Sequence, residues 1–265
     1  MGADIKSLRN RIKSVRSTLH LTKAMGLVAS SKVRKAQIAR TKSLEYKKNV
    51  SSIVDVLLCS KNTQKSIYLN PKGDTELVIV IAGDRGLAGG YNSNVIKLAR
   101  AQNAKYYPIG KKAREQLGEG IASSEKFDYD DASSLATTVC QDYKAGKYSK
   151  VSIAYTKYKN MLSQEPEILQ ILPLVKGNEE KRGSAIFEPN EEQMLEHAVP
   201  IYVAGIIFSA VKESFACEVI ARRNAMDSAG KNATTMIDDL QLKYNRARQG
   251  AITQEITEIV AGSGE

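Results

Sequence analysis

The stretch Ile201–Ala261, IYVAGIIFSAVKESFACEVIARRNAMDSAGKNATTMIDDLQLKYNRARQGAITQEITEIVA, decides how this chain folds. It contains no proline and only three glycines, and apolar residues return every three or four positions. This spacing predicts one continuous helix that is much longer than the helices of ordinary globular domains. All six prolines lie before it, at positions 71, 108, 166, 173, 189 and 200. We therefore expect a C-terminal coiled-coil helix within residues 190–265.

The N-terminal segment carries a second long helical pattern. Sixteen positions follow alternating steps of three and four residues, which form the heptad seam of a coiled coil. They are Ile5, Leu8, Ile12, Val15, Leu19, Thr22, Gly26, Ala29, Val33, Ala36, Arg40, Ser43, Lys47, Val50, Val54 and Leu57. We expect a coiled-coil helix over residues 1–60, roughly 80 Å long at about 1.5 Å per residue. Since the two helices lead out of and back into one insert, we expect them to pair antiparallel.

The second helix has a less regular apolar pattern. Its predicted seam positions are Phe208, Val211, Phe215, Val219, Met226, Ala229, Ala233, Met236, Leu240, Tyr244, Ala247, Ala251, Ile256 and Ile259. Several steps between them depart from strict heptads by four-residue shifts, which locally unwind a supercoil. We therefore expect the two helices to coil only loosely around each other.

The segment between the helices alternates strands with short helices. Glu76–Ala82, ELVIVIA, is a β-branched run typical of a strand that is covered on both faces. The other predicted strands are Ala104–Ile109, Lys150–Thr156 and an edge strand at Glu167–Val175, and the predicted helices are Tyr91–Gln102, Lys111–Leu117 and Ala132–Lys144. This order predicts an α/β domain with a parallel sheet over residues 75–175.

The positive charge of the chain is concentrated in the first helix. The net charge is +10, and residues 1–50 contain thirteen Lys and Arg against two Asp and Glu. So basic a helix is suited to nucleic acid, anionic lipid or an acidic protein loop. Nucleic acid is disfavoured because Tyr46 is the only aromatic residue among the first fifty, and lipid because the seam after Leu19 is largely Ala and Val. An acidic protein partner fits best.

No residue pattern indicates catalysis, a cofactor or a metal. Cys59, Cys140 and Cys217 are far apart and form no C-x-x-C pair, which favours a reducing cytoplasmic compartment. His20 and His197 lack the companions of a metal site or a catalytic dyad. No signal sequence or uncharged run of eighteen apolar residues is present, so we expect a chain that is neither exported nor membrane-spanning.

The glycine-rich turn Gly83–Gly90, GDRGLAGG, follows the predicted buried strand. A loop of this kind can aim backbone N–H groups at a phosphate, which leaves a nucleotide-binding α/β enzyme as an alternative. However, the turn fits neither G-x-G-x-x-G nor G-x-x-x-x-G-K-[ST], and a tight turn from strand to helix needs glycine for backbone reasons alone. We expect no nucleotide to bind there.

The end of the second helix is apolar or small over much of its circumference. Residues 250–261 contain no Lys or Arg, and a chain end has little of its own chain to pack on. Exposed apolar surface at this position indicates a partner.

Three sets of residues closely resemble the gamma subunits of F-type ATP synthases. The first is IK..RNRI at 5–12 with LTKAMGLVASSK at 21–32; the second is DRGLAGGYN at 84–92; the third is ARRNAMDSA at 221–229 with YNRARQGAITQEITEIVAG at 244–262. The resemblance implies a non-catalytic rotor: an antiparallel coiled coil within a head of three alpha and three beta subunits. It also implies a Rossmann-like α/β domain facing the epsilon subunit and the membrane ring of c subunits. Basic coiled-coil nucleic-acid binding remains the alternative.

The resemblance also implies which residues contact partners. Those aligned with positions near the beta subunits are Met25, Arg222, Arg248, Gln249, Thr253 and Glu255. Lys23, Lys32 and Arg34 are expected to face acidic beta-subunit loops, Arg248 and Gln249 a catch loop, and Ile252, Ile256 and Ile259 an apolar bearing. The implied location is the cytoplasmic face of a bacterial cell membrane, reached through the complex and without a transmembrane segment.

Overall fold

Two helices account for about half of the residues that the structure describes. The structure is a computed structural model that describes residues 2–175 and 187–262. Helix α1 spans Gly2–Leu58 and helix α5 spans Glu191–Gly262, which confirms the two predicted long helices. The last three residues of the predicted 190–265 helix lie outside the described residues.

Helix α5 begins at a polar cap and continues through a proline. The side-chain oxygen of Asn190 accepts the N–H of Gln193 at 2.9 Å, which satisfies one of the free donors at the helix start. Pro200 lies inside the helix, where it removes one backbone hydrogen bond. Its neighbours Val199 and Val203 are fully buried in the core, so packing holds the helix together across the proline.

Between the long helices, four strands and three short helices form an α/β arrangement. The strands are β1 Glu76–Ile81, β2 Lys105–Ile109, β3 Lys150–Tyr158 and β4 Gln164–Leu172. The helices are α2 Tyr91–Arg100, α3 Lys111–Leu117 and α4 Tyr129–Lys144. The strand order is β2-β1-β3-β4.

The three strands that alternate with helices are parallel, as predicted, and the edge strand, for which no direction was predicted, makes the sheet mixed. Strand β1 pairs parallel with both β2 and β3, but β4 pairs antiparallel with β3. The connection between β3 and β4 is a short hairpin at residues 159–163, and so short a link permits only antiparallel pairing. Helix α4 starts at Tyr129 rather than the predicted Ala132, because Asp128 and Asp131 form a capping box.

The chain divides into two compact units, Met1–Ser30 with Arg222–Glu265, and Ser31–Ala221. In the second unit both faces of the sheet are covered. Ile79 and Ile153 share one apolar core with residues of α1, α4 and α5, while Val80 packs with Val95 and Ile96 of α2 on the other face. The unbroken apolar run of β1 is explained by this double burial.

In the first unit, α1 and α5 run antiparallel. A Cβ on Gly26 would lie 3.6 Å from Cβ of Met226, while one on Gly230 would lie 3.8 Å from both Leu19 and Thr22. Residue numbers therefore fall along α1 as they rise along α5. All sixteen seam positions predicted for α1 are buried or half-buried, in both units of the chain.

The seam of α5 in the first unit differs from the prediction. Met236 is 45% exposed, and the inward positions are instead Gly230 and Ile237. Glycine has no apolar side chain, so the predicted pattern took Ala229 in place of Gly230, and it took Met236 in place of the adjacent Ile237; the other predicted positions between Met226 and Ala251 are correct. With both corrected, the seam steps regularly by four and three residues through Met226, Gly230, Ala233, Ile237, Leu240, Tyr244, Ala247 and Ala251. This is a regular heptad repeat.

One helix among the described residues, α5, is long and apolar enough to cross a membrane by length and composition. Its most apolar window is 56% buried inside the protein. Leu195, Val203 and Ile207 of this region are fully buried in the core beside the sheet. The apolar character of this window is thus accounted for by core packing.

The buried end of α1 gives a test of the fold. Leu57 is fully buried in the core, whereas Ile53, one turn earlier, is 51% exposed. We expect Leu57→Ala to lower the free energy of unfolding by about 2–5 kcal/mol, because it leaves a cavity. Ile53→Ala is the matched control, with an expected loss below about 0.5 kcal/mol. Urea denaturation monitored by circular dichroism measures the free energy of unfolding of both variants. Equal decreases would contradict the packing of α1.

Candidate partner-binding surfaces

The tip of α5, residues 252–260, carries an exposed apolar stripe. Ile252, Ile256 and Ile259 are 47%, 56% and 69% exposed, and their spacing puts them on one side of the helix. The antiparallel register explains why they are uncovered. Gly26 lies opposite Met226, so 24 residues further along, α1 has come to its start at Gly2 while α5 has reached only Gly250. Beyond that point no described residue of α1 lies beside α5.

Polar residues lie beside and just before the apolar stripe. Arg248, Gln249, Thr253 and Glu255 are all exposed. The Thr253 hydroxyl donates to the Gln249 carbonyl at 3.0 Å, within the helix. The long side chains of Arg248 and Gln249 offer donors that are suited to loops of an external protein.

A groove of about 600 Å³ lies between α1 and α5 in the first unit. Gly26 and Gly230 contribute no side chains to it, which lets the helices approach closely. Lys23 and Arg223 lie at this groove. Of the other predicted contact residues nearby, Met25 and Arg222 are half-buried.

A second groove, of about 780 Å³, is strongly basic. Lys6, Arg9, Lys13 and Arg16 line it at steps of three and four residues along α1, and Tyr244 of α5 closes its other side. None of these four cations was singled out from the sequence, although their charge was counted. Their spacing along the helix was the available signal, because it aligns four positive charges on one face. The surface is suited to an acidic partner.

Lys32 and Arg34 lie in the second unit. The Lys32 ammonium is 2.6 Å from a carboxylate oxygen of Glu125, and both side chains are partly exposed. Such a surface ion pair contributes about 0–1 kcal/mol, so an external carboxylate can replace it at little cost. Arg34 is exposed.

The loop after β1 is held by a carboxylate. Asp84 accepts the backbone N–H groups of Ser124 at 2.9 Å and of Lys111 and Glu125 at 3.2 Å each, as well as the Ser123 hydroxyl. Burial raises the pKa of Asp84, but these hydrogen bonds outweigh burial and hold the pKa below its ordinary value. The residue is therefore an ionised clamp between this loop and the segment before α4.

Helix α5 fills the crevice in which an α/β sheet usually binds its ligand. That crevice lies outside the carboxyl ends of the strands, at the point where the strand order reverses, which here is between β1 and β3. A Cβ on Gly83 would lie 2.6 Å from the carboxyl carbon of Glu218, and the Ser214 hydroxyl accepts the Thr156 N–H at 3.0 Å. Glu213 and Glu218 are both buried beside these strand ends. A phosphate would meet carboxylates there, which argues against the nucleotide-binding alternative.

The remaining candidates for chemistry are structural. Burial raises the pKa of the Cys140 thiol to about 11 and that of the Cys217 thiol to about 12, which suppresses the reactive thiolate. Cys59 is also buried. Within residues 2–175 and 187–262, no three His, Cys, Asp or Glu residues are grouped so that they could hold a metal ion.

The Asp84 clamp gives a pH-dependent test. We expect Asp84→Asn to lower the free energy of unfolding by about 1–3 kcal/mol at pH 7, because charged hydrogen bonds are lost. The depressed pKa means that this stabilisation is present above the unfolded-state pKa and is lost as the pH falls through the folded-state value.

The difference between wild type and D84N should therefore shrink below about pH 4, as measured by urea denaturation across pH. Asp74→Asn, at an exposed position before β1, is the matched control, for which we expect little change at any pH. A D84N deficit that stays constant down to pH 3 would contradict the clamp.

Comparison with known proteins identifies the family. The sequence profile of the family described as ATP synthase matches residues 4–264. The ATP synthase gamma chain of Ruminococcus albus is 40% identical over 98% of this chain and 98% of its own length. The sodium ion specific ATP synthase gamma chain of Acetobacterium woodii is 35% identical over 99% of each chain.

Two solved structures are similar in fold. A chain of the Euglena gracilis mitochondrial ATP synthase, in the structure of OSCP, F1 and c-ring, matches with a TM-score of 0.67 at 17% identity, covering 98% of this chain and 94% of that one. A chain of the Tetrahymena thermophila mitochondrial ATP synthase central stalk and c-ring matches with a TM-score of 0.60 at 26% identity, covering 79% and 99%. The predicted family resemblance and fold class are confirmed, and nothing supports the nucleic-acid alternative. The chain belongs to the ATP synthase gamma chain family.

Proposed function

We propose that this chain is the rotary central-stalk subunit of an F-type ATP synthase, coupling ion flow through a membrane ring to ATP synthesis or hydrolysis in an alpha/beta head. The observation that carries this proposal is that α5 extends beyond the end of the helix pair that it forms with α1. Helix α5 continues past the start of α1 and ends in a stripe of exposed isoleucines, which a surrounding protein must cover.

Each proposed partner is assigned to one of the surfaces described above. Three alpha and three beta subunits surround the helix pair, where Lys23, Met25, Arg222 and the basic groove face acidic loops. Lys32 and Arg34 make further contacts of this kind. The sheet with its short helices, residues 75–175, is called the α/β unit here. It is the docking surface for the epsilon subunit and the c-ring. In functional terms the chain then consists of helices at 1–60 and 190–265 around an α/β domain at 75–175.

A rotor must contact three equivalent partners in turn, so a strong contact at one angle would trap it. Exposed ion pairs, worth about 0–1 kcal/mol each, meet this requirement. The intrachain pair of Lys32 with Glu125 is an example of a contact that can be exchanged. Asymmetry of the turning helices then drives each catalytic site to a different conformation.

The chain has no catalytic role of its own in this proposal. Nucleotide chemistry belongs to the alpha/beta head, and α5 occupies the crevice that a nucleotide would use. The chain is held at the cytoplasmic face of a bacterial cell membrane through the complex. One relative, the gamma chain of Acetobacterium woodii, is named as sodium ion specific.

Co-purification tests the function. A tagged copy of this chain in its own cell is expected to bring down a stable complex with three alpha and three beta subunits per copy, together with epsilon and the c-ring. The purified chain alone is expected to hydrolyse no ATP. Isolation of the chain without a nucleotide-binding head, or ATP turnover by the chain that Asp84→Asn abolishes, would refute the proposal.

The contact residues are tested in that complex. We expect Arg248→Ala with Gln249→Ala to lower ATP synthesis by about tenfold, because loss of hydrogen bonds worth about 1.4 kcal/mol corresponds to that factor. Ile252→Ser, Ile256→Ser and Ile259→Ser together should have a similar effect. The melting temperature of the isolated chain should not change in either variant, since all five side chains are exposed.

Lys243→Ala is the matched control for both variants, because Lys243 is exposed on α5 and has no assigned contact. It should leave ATP synthesis unchanged. Equal activity of all these variants would exclude the assigned contacts while leaving the rotor function in place.

A further inference from the structure

Strand β3 is longer than its neighbour β1. The last residue pair between them is Val80 with Ala154, yet β3 continues to Tyr158. Backbone N–H groups of consecutive residues point to opposite edges of a strand, so Thr156 and Tyr158, two residues apart, present their N–H groups at the same edge. Unpaired N–H groups in a buried position are costly and require another acceptor.

Two consecutive side chains of α5 supply those acceptors. The Ser214 hydroxyl accepts the Thr156 N–H at 3.0 Å, and one carboxylate oxygen of Glu213 accepts the Tyr158 N–H at 3.1 Å. Helix α5 therefore completes the edge of β3 where β1 has ended. These bonds connect the helix directly to the sheet backbone.

Helix α1 joins at the same carboxylate. Arg40 places Nε and Nη2 each 3.4 Å from the Glu213 oxygen that binds Tyr158, and its guanidinium lies 4.3 Å from the centre of the Tyr158 ring. The two side chains are only 21% and 8% exposed, so water screens this pair weakly. One carboxylate thus links α1, α5 and β3.

Apolar packing and these polar contacts resist motion differently. Apolar burial is non-directional, so a small rotation that keeps the same side chains buried changes the free energy little, although close packing opposes large ones. Hydrogen bonds weaken steeply with angle and distance, and a buried charge that loses its partner is costly. The contacts of Glu213 and Ser214 therefore oppose rotation of α5 about its own axis.

We propose that Glu213, with Arg40 and Ser214, is a torsional joint that fixes both long helices to the sheet, so that torque applied to the α/β unit enters α1 and α5 without slip. This inference rests on the proposed rotary function. Glu213 acts here as a positioning residue, because it contacts neither nucleotide nor any reacting group. The available sequence signal was Arg40, a charged residue at a predicted seam position of α1.

Angular fluctuation in the assembled complex tests the joint. The head is immobilised, a bead is attached to an exposed position of the α/β unit such as Lys105, and the bead angle is followed while the rotor is paused without ATP. The angular variance varies inversely with torsional stiffness. We expect Glu213→Ala to raise the variance by about twofold, since it removes the hydrogen bond from Tyr158 and leaves the one from Thr156 to Ser214.

Arg40→Met keeps the length and packing of the side chain, while it removes the charge and the hydrogen bonds. We expect it to raise the variance as well, and the double variant with Glu213→Ala to exceed Glu213→Ala by little, because both changes break one linked contact. Glu213→Gln retains an acceptor for Tyr158 and should give an intermediate variance. It also provides the test if Glu213→Ala does not assemble.

Two controls separate stiffness from stability. Lys150→Met breaks a different ion pair on β3, with Glu76, and Ile79→Val weakens the core. Both should leave the variance at the wild-type value, although Ile79→Val lowers the melting temperature. A wild-type bead that turns with ATP, combined with unchanged variance in Glu213→Ala and Arg40→Met, overturns the joint alone. A wild-type bead that does not turn overturns the rotor function and the joint with it.

Discussion

Two antiparallel helices can cover each other only where both are present, and this constraint governs the chain. Helix α1 begins at Gly2 opposite about Gly250 of α5, so the seam closes before α5 ends. Up to that point the seam side chains of α5 are buried or half-buried, and beyond it Ile252, Ile256 and Ile259 are exposed. The exposed tip is therefore a consequence of unequal helix reach. The same constraint makes an external partner necessary for this surface.

The first half of α5 has a different environment from its second half. Around Val203 and Ile207 it is buried on nearly all sides beside the sheet, while its polar residues Glu213, Ser214 and Glu218 occupy the strand ends. A fold that elsewhere holds nucleotides in this crevice here holds its own helix. This is a case in which the architecture is shared with ligand-binding proteins while the site itself has another role.

Much of the architecture could be predicted, because the long helices and the strands are specified by residue patterns that repeat within a few positions. The α1 seam was correct at all sixteen positions, since a heptad repeat needs only spacing, and the strands were found from β-branched runs. The direction of β4 was not predicted because it depends on the length of a hairpin, and Gly230 was left out of the α5 seam because it has no side chain to count. Glu213 and Arg40 could not be paired from sequence, because 173 positions separate them and only the folded core brings them together. The partner contacts remain predictions, since they depend on chains outside this one.

The burial of the three cysteines limits how the chain can react with oxidants. Cys59, Cys140 and Cys217 are the only cysteines of the chain, all are buried, and the pKa values of Cys140 and Cys217 are raised by burial. Oxidants and disulfide-exchanging enzymes act on exposed thiolates, and the folded chain presents none. A synthase that carries this subunit therefore cannot be switched on or off by the redox state of its surroundings through this chain.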